Sequence, residues 1–239
     1  MRLPRFKPRY IPFLTTFRVF QNSKVDVAKS AKIIRSKIVV STGAAIKIGE
    51  HVTINNAEIY VEKGSLSISD FSIIGTSDTP TRIIINNGVV SIGHHSKIAC
   101  DRIWCRFGGR LTIGDYTNIN HHSEIRCDEC VMIGSYCQVS YGVRVWDTNT
   151  HCIIDYQQRR KITELHYPYF GYESTKPSTR PVTIGDDCWL GERSAILKGS
   201  NLGDRSIVGF NTSVLGKTIP PDSLVVQDVK LKIIAHNGK

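Results

Sequence analysis

The chain lacks several features that would point to whole classes of protein. It has no apolar run of the roughly 18 residues needed to cross a bilayer. Its seven cysteines are an odd number and follow no secretory signal, which indicates a reducing compartment. It also has no Gly-rich phosphate loop and no dinucleotide fingerprint. We therefore expect a cytoplasmic protein, with the inner face of the membrane as a second location.

The cysteines do not indicate a metal or redox centre either. Cys127 and Cys130 form a C-x-x-C, but no second pair stands at zinc-finger spacing. No thioredoxin-like pattern of strand and helix surrounds them. We interpret them as two packed thiols and expect no metal.

Positive charge is in excess, with a formal net charge of +10 at pH 7. Net charge bears on association, so the excess favours anionic partners such as phosphorylated small molecules, an acidic membrane face or nucleic acid. The basic residues are spread along the chain without a known nucleic-acid motif. We therefore expect no nucleic-acid partner.

The first thirty residues show no repeat and are interpreted as an N-terminal arm, residues 1–30. Basic and aromatic residues alternate there, and Pro4, Pro8 and Pro12 exclude a continuous helix. One interpretation is an extended arm that packs on the body or on a neighbouring subunit. The other is a segment that touches an anionic membrane surface.

An aliphatic residue returns every six positions through much of the chain. In the clearest run the pattern is an aliphatic residue, Gly, two variable residues and then a small residue, as in IGDDCW and LGDRSI. Weaker copies begin at Ile48, Ile68 and Ile92. The leading residues of the clearest run are Ile184, Leu190, Ile196, Leu202, Val208 and Val214.

A period of six fits neither a helix nor a plain amphipathic strand. It predicts short parallel strands joined by tight corners, with three hexads making one turn of a coil. Ile184 and Leu202 lie 18 residues apart, one complete turn. We therefore expect Ile184 to stack on Leu202, and Leu190 on Val208, as internal ladders.

The segment RPVTIGDDCWLGERSAILKGSNLGDRSIVGFNTSVLGKTIPPDS resembles the hexapeptide-repeat acyltransferases, nearest to the maltose, galactoside and surface-polysaccharide O-acetyltransferases. The resemblance is strongest over about residues 113–223. It implies an all-β fold, a left-handed parallel β-helix over residues 31–223 with a loop insertion at 152–181. Residues 224–239 would form a C-terminal tail.

The resemblance places the catalytic base on His151. The segment WDTNTH ends where the six-residue period stops, and the period restarts at Pro181 after the insertion. Acyl transfer from a thioester to a hydroxyl needs a base that is neutral near pH 7, and an imidazole with a pKa of about 6.5 meets that need. An oxyanion site, expected at a backbone amide, would hold the developing charge.

The partner that orients His151 stays open between two carboxylates, Asp147 and Asp155. Asn120 and Asn118, in TNIN, resemble the position where related sugar acetyltransferases place an Asn near the acceptor. Each Asn could equally be a corner residue, because Asn tolerates left-handed backbone. Asn120, Asp147 and Asn118 are the candidate substrate-binding residues.

The resemblance implies acetyl-coenzyme A (acetyl-CoA) as the donor. Trp189 and Gly191, in CWLG, match the family's W-I-G, where backbone groups and a flat ring run along the pantetheine arm. Lys217 matches the basic residue of K-D-I-P-P, although this chain has one residue more than the family pattern between Val208 and Ile219. The G-x-P-A-K/R that customarily follows is missing, and Lys198 and Lys230 are further candidates for the coenzyme phosphates.

The insertion is rich in Arg, Lys and Tyr, and long excursions in compact domains are usually functional. Its aromatic residues Tyr167, Tyr169, Phe170 and Tyr172 could stack on a sugar ring. It could equally wrap a neighbouring subunit, because prisms of this family pack as homotrimers with the site between chains. We expect a saccharide acceptor of a surface polysaccharide, with a free sugar, an amino sugar or an antibiotic as alternatives.

Two other functions use the same fold. A zinc enzyme of the γ-carbonic anhydrase kind would need three histidines on adjacent coils, but His94, His121, His122 and His151 are wrongly spaced. A non-catalytic scaffold would explain the repeats but leave the break at His151 without a cause.

Overall fold

The chain coils into a stack of short parallel strands. The computed structural model describes residues 15–77, 79–169, 175–228 and 230. Within these residues the strands form two continuous sheets, and the one antiparallel contact is an isolated bridge, Thr148 to Thr179. The predicted all-β fold, a parallel β-helix with an inserted loop, is confirmed.

Nine successive turns of the coil, here called rungs, carry the strands. Rungs one to three comprise β1 (Thr16–Val19), β2 (Lys24–Val27), β3 (Lys32–Ile34), β4 (Lys37–Val40), β5 (Ala45–Ile48), β6 (Thr53–Asn55), β7 (Ala57–Ile68) and β8 (Ile73–Ile74). Rungs four to six comprise β9 (Thr81–Ile92), β10 (Lys97–Ile98), β11 (Arg102–Ile113), β12 (Asn118–Ile119), β13 (Glu124–Cys127), β14 (Cys130–Ile133) and β15 (Gln138–Val139). Rungs seven to nine comprise β16 (Arg144–Trp146), β17 (Val182–Ile184), β18 (Trp189–Leu190), β19 (Ala195–Leu197), β20 (Asn201–Leu202), β21 (Ile207–Val208), β22 (Ser213–Leu215), β23 (Thr218–Ile219) and β24 (Leu224–Val225), and the helix α1 (Tyr156–His166) lies in the insertion.

Each rung contributes to three faces. Face 1 runs from β1 through β4 and β16 to β22, face 2 from β2 through β14 to β23, and face 3 from β3 through β12 to β24. In β7, β9 and β11 one 12-residue strand passes from face 1 to face 2. The chain turns at the 1/2, 2/3 and 3/1 corners, each named after the two faces that it joins.

An aliphatic ladder runs down the inside of each face. Ile184 pairs with Leu202 and Leu190 with Val208, which confirms both predicted stacks. Burying an isoleucine contributes about 1.5–3 kcal/mol, so stability accumulates rung by rung. The ladder of face 3 comprises Ile33, Ile54, Ile74, Ile98, Ile119, Val139, Leu190, Val208 and Val225.

Small and polar residues close the 2/3 corners. A Cβ on Gly114 would lie 2.6 Å from the carbonyl carbon of Gly134 in the next rung, so the close approach requires glycine. The backbone amide of His94 donates to Asp115 Oδ1 (2.8 Å), and the Thr117 hydroxyl donates to the Gly134 carbonyl (2.8 Å). Side chains thus satisfy backbone groups that the sharp turns leave unpaired.

The coil begins earlier than its repeat predicts. β1 starts at Thr16, so most of the expected arm at 15–30 belongs to the first rung, and residues 1–14 lie outside the described residues. β24 at Leu224–Val225 extends the last rung into the expected tail. Among the described residues no helix is long and apolar enough to cross a membrane.

Candidate active site

The insertion leaves the coil at the 1/2 corner of rung seven and returns to it through a closed neck. The amide of Arg180 donates to the Asp147 carbonyl (2.9 Å), and the amide of Asn149 donates to the Ser178 carbonyl (3.0 Å). Together with the bridge between Thr148 and Thr179, these bonds join the two ends of the insertion. His151 lies directly beyond this neck and is exposed.

Asp147 holds the preceding rung rather than a ligand. Its side chain is fully buried, and its carboxylate accepts hydrogen bonds from the amides of Asp128, Glu129 and Cys130, each at 2.8 Å. Burial raises the pKa of this carboxyl, and the three amide bonds oppose the shift. The placement gives Asp147 a structural role and keeps it from an acceptor in solvent. The other candidate partner, Asp155, is the N-cap of α1 and accepts from the amide of Gln157 (2.9 Å).

An open groove of about 480 Å³ lies at the 3/1 corner of rungs six to nine. Trp189 and Gly191, both predicted coenzyme residues, line it together with Ser140, Tyr141 and Phe210. Its walls also include Ile207, Val208 and Leu224, so it is largely apolar, as is usual for a small-molecule site.

Trp189 and Gly191 owe their positions to different constraints. The Trp189 ring is 52% exposed, and its Nε1 donates to the Ser140 hydroxyl of the preceding rung at 3.2 Å. A Cβ on Gly191 would lie 2.7 Å from the Val208 carbonyl oxygen, so rung packing alone requires glycine there. Trp189 is therefore the residue of the pair whose side chain is free to meet a ligand.

Asn120 lies on the 3/1 corner, one rung before the groove. Its amide donates to the Val139 carbonyl (3.0 Å), whereas Asn118 lies on face 3 beside Gln138. The neighbouring His121 contacts the hydroxyls of Thr76 (3.4 Å, Nε2) and Thr79 (Nδ1). The loop after β8 is thereby fastened to the corner just before the groove begins.

The candidate phosphate-binding lysines divide between places. Lys198 and Lys217 follow β19 and β22 at the 1/2 corner, on the same edge as His151. Lys198 Nζ donates to the Ser178 hydroxyl (3.1 Å), and the Arg180 guanidinium lies over Gly199. Lys230 is exposed beyond β24. The 1/2 corner therefore carries a basic cluster of Arg180, Lys198 and Lys217.

The aromatic residues of the insertion are only partly described. Tyr167 and Tyr169 are 71% and 76% exposed, and Phe170 and Tyr172 lie outside the described residues. The helix α1 buries none of its residues on the chain.

Within the described residues, no group of three His, Cys, Asp or Glu side chains is arranged to hold a metal ion. Cys127 is buried, while Cys130 is partly exposed. A hydrogen bond with Cys105 and burial raise the pKa of the Cys127 thiol, which disfavours the thiolate that metal binding requires.

No model of a known protein family matches the chain. Putative acetyltransferase SAR2635 of Staphylococcus aureus (strain MRSA252) is 37% identical to it over 62 residues. The match spans 26% of this chain and 29% of that protein, less than a third of its length.

Two similar solved structures are acetyltransferases, and each covers nearly the whole chain. The polySia-specific acetyltransferase NeuO superposes with a TM-score of 0.52 and 18% identity, over 94% of this chain and 88% of its own. The polysialic acid O-acetyltransferase OatWY superposes with a TM-score of 0.50 and 17% identity, over 94% of each chain. The chain has the fold of the hexapeptide-repeat acetyltransferases.

Within one chain of this hexapeptide-repeat fold, the predicted site residues lie at two different corners. His151 lies at the 1/2 corner, and Trp189, Gly191 and Asn120 lie at the 3/1 corner, with face 1 between them. Tyr141 and Phe210, which line the groove, were not predicted, because they occupy variable hexad positions with no distinguishing spacing.

Proposed function

We propose that the protein is an acetyltransferase that moves the acetyl group of acetyl-CoA to a sugar hydroxyl, with His151 as general base. One observation carries the proposal. His151 is exposed directly beyond a hydrogen-bonded neck, at the point where the coil stops burying aliphatic residues. The acetyltransferase names of the proteins similar to this chain support the reaction class.

The chemistry needs one proton carrier. The His151 imidazole takes the proton of the acceptor hydroxyl as its oxygen forms a bond to the acetyl carbon. The carbon–sulfur bond of the thioester then breaks, and the imidazolium returns the proton to the departing thiolate. A backbone amide holds the negative charge on the carbonyl oxygen between the two steps.

The groove at the 3/1 corner is the proposed donor site. The pantetheine arm lies along Trp189 and Gly191, and the apolar walls exclude water from it. Lys198 and Lys217 face the coenzyme phosphates from the 1/2 corner, and Lys230 lies beyond the last rung. Asn120, one rung before the groove, is the proposed acceptor contact, and Asn118 on face 3 is the second candidate.

A homotrimer would bring the two edges together. Face 1 lies between the 1/2 and 3/1 corners, so packing face 1 around a three-fold axis sets His151 of one subunit near the groove of the next. Face 1 has two outward rows. One carries charged residues such as Glu58, Arg82 and Arg102, and the other holds mainly apolar residues, which support such packing. They include Val39, Tyr60, Ile84, Trp104, Trp146, Leu197 and Leu215.

The proposed acceptor is a hydroxyl of a surface polysaccharide or its lipid-linked precursor. The net charge of +10 suits an anionic saccharide, and NeuO and OatWY are described as acetyltransferases of polysialic acid. Tyr167 and Tyr169, exposed in the insertion that follows His151, offer rings for stacking on a sugar. A free sugar, an amino sugar and an antibiotic remain the other acceptors to test.

The reaction is tested by thiol release from acetyl-CoA across a panel of acceptors. The variant His151→Ala is compared with His122→Ala, another exposed histidine. We expect His151→Ala to lower kcat about 10²–10⁴-fold, with the KM for acetyl-CoA unchanged, and His122→Ala to behave as the wild type. Wild-type turnover by His151→Ala on a true acceptor would refute the role of His151.

Subunit mixing tests the shared site. His151→Ala removes the base, and Ser140→Trp fills the groove, so each variant alone is expected to be inactive. Mixed in equal amounts and reassembled, they should recover about a quarter of the wild-type activity, because sites with both wild-type parts form between unlike subunits. No recovery from a mixture shown to be mixed trimers would place the whole site in one chain.

A further inference from the structure

The residue before His151 has a strained backbone. Thr150 has φ of 69°, in the left-handed region, where a β-branched residue is a genuine outlier. It is also buried, with 5% of its surface exposed. Such a conformation persists only where the surroundings hold it, and it is commonly associated with functional sites.

Every polar group of Thr150 has a hydrogen-bond partner. Arg126 Nη1 donates to the Thr150 hydroxyl (2.9 Å), and Arg106 Nη2 donates to the Thr150 carbonyl oxygen (3.4 Å). The Thr150 amide donates to the Thr148 hydroxyl (3.0 Å). Arg106 of rung five and Arg126 of rung six therefore hold Thr150, the residue that precedes His151.

Arg106 is itself held firmly. Its Nε and Nη2 donate to the two carboxylate oxygens of Asp128, at 2.9 and 2.7 Å. The side chains are 9% and 0% exposed, and a bidentate pair fixes the plane of the guanidinium. The guanidinium also lies over the Trp104 ring, 4.2 Å from its centroid.

Arg126 is held on face 1 between two rungs. Its guanidinium lies 4.3 Å from the centroid of the Trp146 ring and 5.8 Å from that of Trp104. Its Nη2 also donates to Glu124 Oε2 (3.2 Å). Stacking and ion pairing restrict the motion of the guanidinium. Its hydrogen bond to Thr150 therefore restricts the start of the insertion as well.

We propose that Arg126 and Arg106 are positioning residues that fix His151 through Thr150. The inference rests on the proposed acetyl transfer. General-base catalysis requires the imidazole within hydrogen-bond reach of the acceptor hydroxyl, and a displacement of about 1 Å can cost about 100-fold in rate. The coil supplies this precision by holding the residue next to His151 from outside the insertion.

The test compares Thr150→Val, which keeps the shape but lacks the hydroxyl, with Thr150→Ser, which keeps the hydroxyl. Arg126→Met removes the donor, and Arg110→Met, on the exposed part of face 2, is the matched control. We expect Thr150→Val and Arg126→Met each to lower kcat about 10–100-fold, with the KM for acetyl-CoA unchanged. Thr150→Ser and Arg110→Met should retain wild-type kcat.

The double variant Arg126→Met/Thr150→Val should be no slower than the worse single variant, because both changes remove the same contact. Hydrogen exchange gives a readout without turnover: amides of residues 149–152 should exchange faster in Arg126→Met and Thr150→Val than in Thr150→Ser. Wild-type kcat and exchange in Thr150→Val would overturn the inference, even if Arg126→Met failed to fold. Should His151→Ala keep its turnover, the proposed function fails, and the exchange experiment still decides whether the arginines hold the loop.

Discussion

The rungs before the insertion and those after it differ in length but share one interior. Before the insertion, residues on face 1 pair with residues 20 to 24 positions later, as Thr16 does with Lys37 and Glu58 with Arg82. After it, Ala195 pairs with Ser213, 18 positions later. Both regions keep inward apolar residues on every face, but strands before the insertion often carry two, as Ile38 and Val40 do in β4, whereas β19 carries one, Ile196. The inward positions therefore determine the fold, and longer strands on faces 1 and 2 take up most of the additional residues.

The two regions also treat the same corner differently. From rung two onward, one residue at each 2/3 corner has left-handed φ between 52° and 59°. Before the insertion these residues are mainly rings, which stack with centroids 4.8–5.1 Å apart. After it they are charged, with Arg205 paired to Asp222. The rings are His51, Phe71, His95, Tyr116 and Tyr136.

Alanine substitutions in the face 2 ladder, one in each region, test whether the two interiors contribute equally to stability. Ile92→Ala and Leu202→Ala each remove a fully buried side chain of face 2, so each should lower the free energy of unfolding by about 3 kcal/mol. Val89→Ala, at an exposed position of the same face, is the control. Denaturant unfolding measures all three. A cost for Leu202→Ala below half that for Ile92→Ala would show that the shorter rungs pack differently.

Asp147 lies where the two regions meet, so its loss should affect both. Asp147→Ala leaves three buried amides without their acceptor and should cost about 2–3 kcal/mol. Glu62→Ala, at an exposed position of β7, should leave the unfolding midpoint unchanged. Equal midpoints for the two variants would mean that the amides find other acceptors.

The buried thiol of Cys100, in the region before the insertion, should make the stability of the protein depend on pH above pH 9. Burial, with a smaller contribution from Asp101, raises the pKa of Cys100 from 9.0 to about 12. Between these values the unfolded chain loses the thiol proton while the folded chain keeps it, so stability falls as pH rises, by about 1.4 kcal/mol per pH unit. Cys100→Ala should show a correspondingly shallower loss in unfolding experiments between pH 9 and 11. Cys152→Ala is the control, and an unchanged slope in Cys100→Ala would contradict the assignment.

The smallest expected change in stability comes from the 2/3 corners, which carry stacked rings before the insertion and charged residues after it. Tyr116→Ala interrupts the stacked rings between His95 and Tyr136 and should cost about 1 kcal/mol. Arg205→Ala removes an exposed ion pair and should leave the melting temperature nearly unchanged. Thermal unfolding of both variants makes the comparison. A larger shift for Arg205→Ala would reverse the assignment of the stronger corner.

The repeat was readable where the rungs are short and unreadable where they are long. Hexads from Ile184 to Val214 follow without interruption, so their stacks were predicted residue by residue. In rungs one and two the strands are longer, which moves the next inward position out of the six-residue period. The sequence therefore predicts an arm where Thr16–Val19 and Lys24–Val27 form strands. Hydrophobic spacing is a local signal, and the six-residue period is lost once the strand lengths vary.

For the candidate site, the spacing of His151 at the break in the period was enough to predict an exposed loop, because inward aliphatic positions must recur wherever the coil continues. The tertiary structure alone decided the partners of that loop. Asp147 turns inward to three amides, and Thr150 meets Arg106 and Arg126, 44 and 24 positions away. Stacked rungs bring such distant side chains into contact, and hydrogen bonds between rungs leave no period in the sequence.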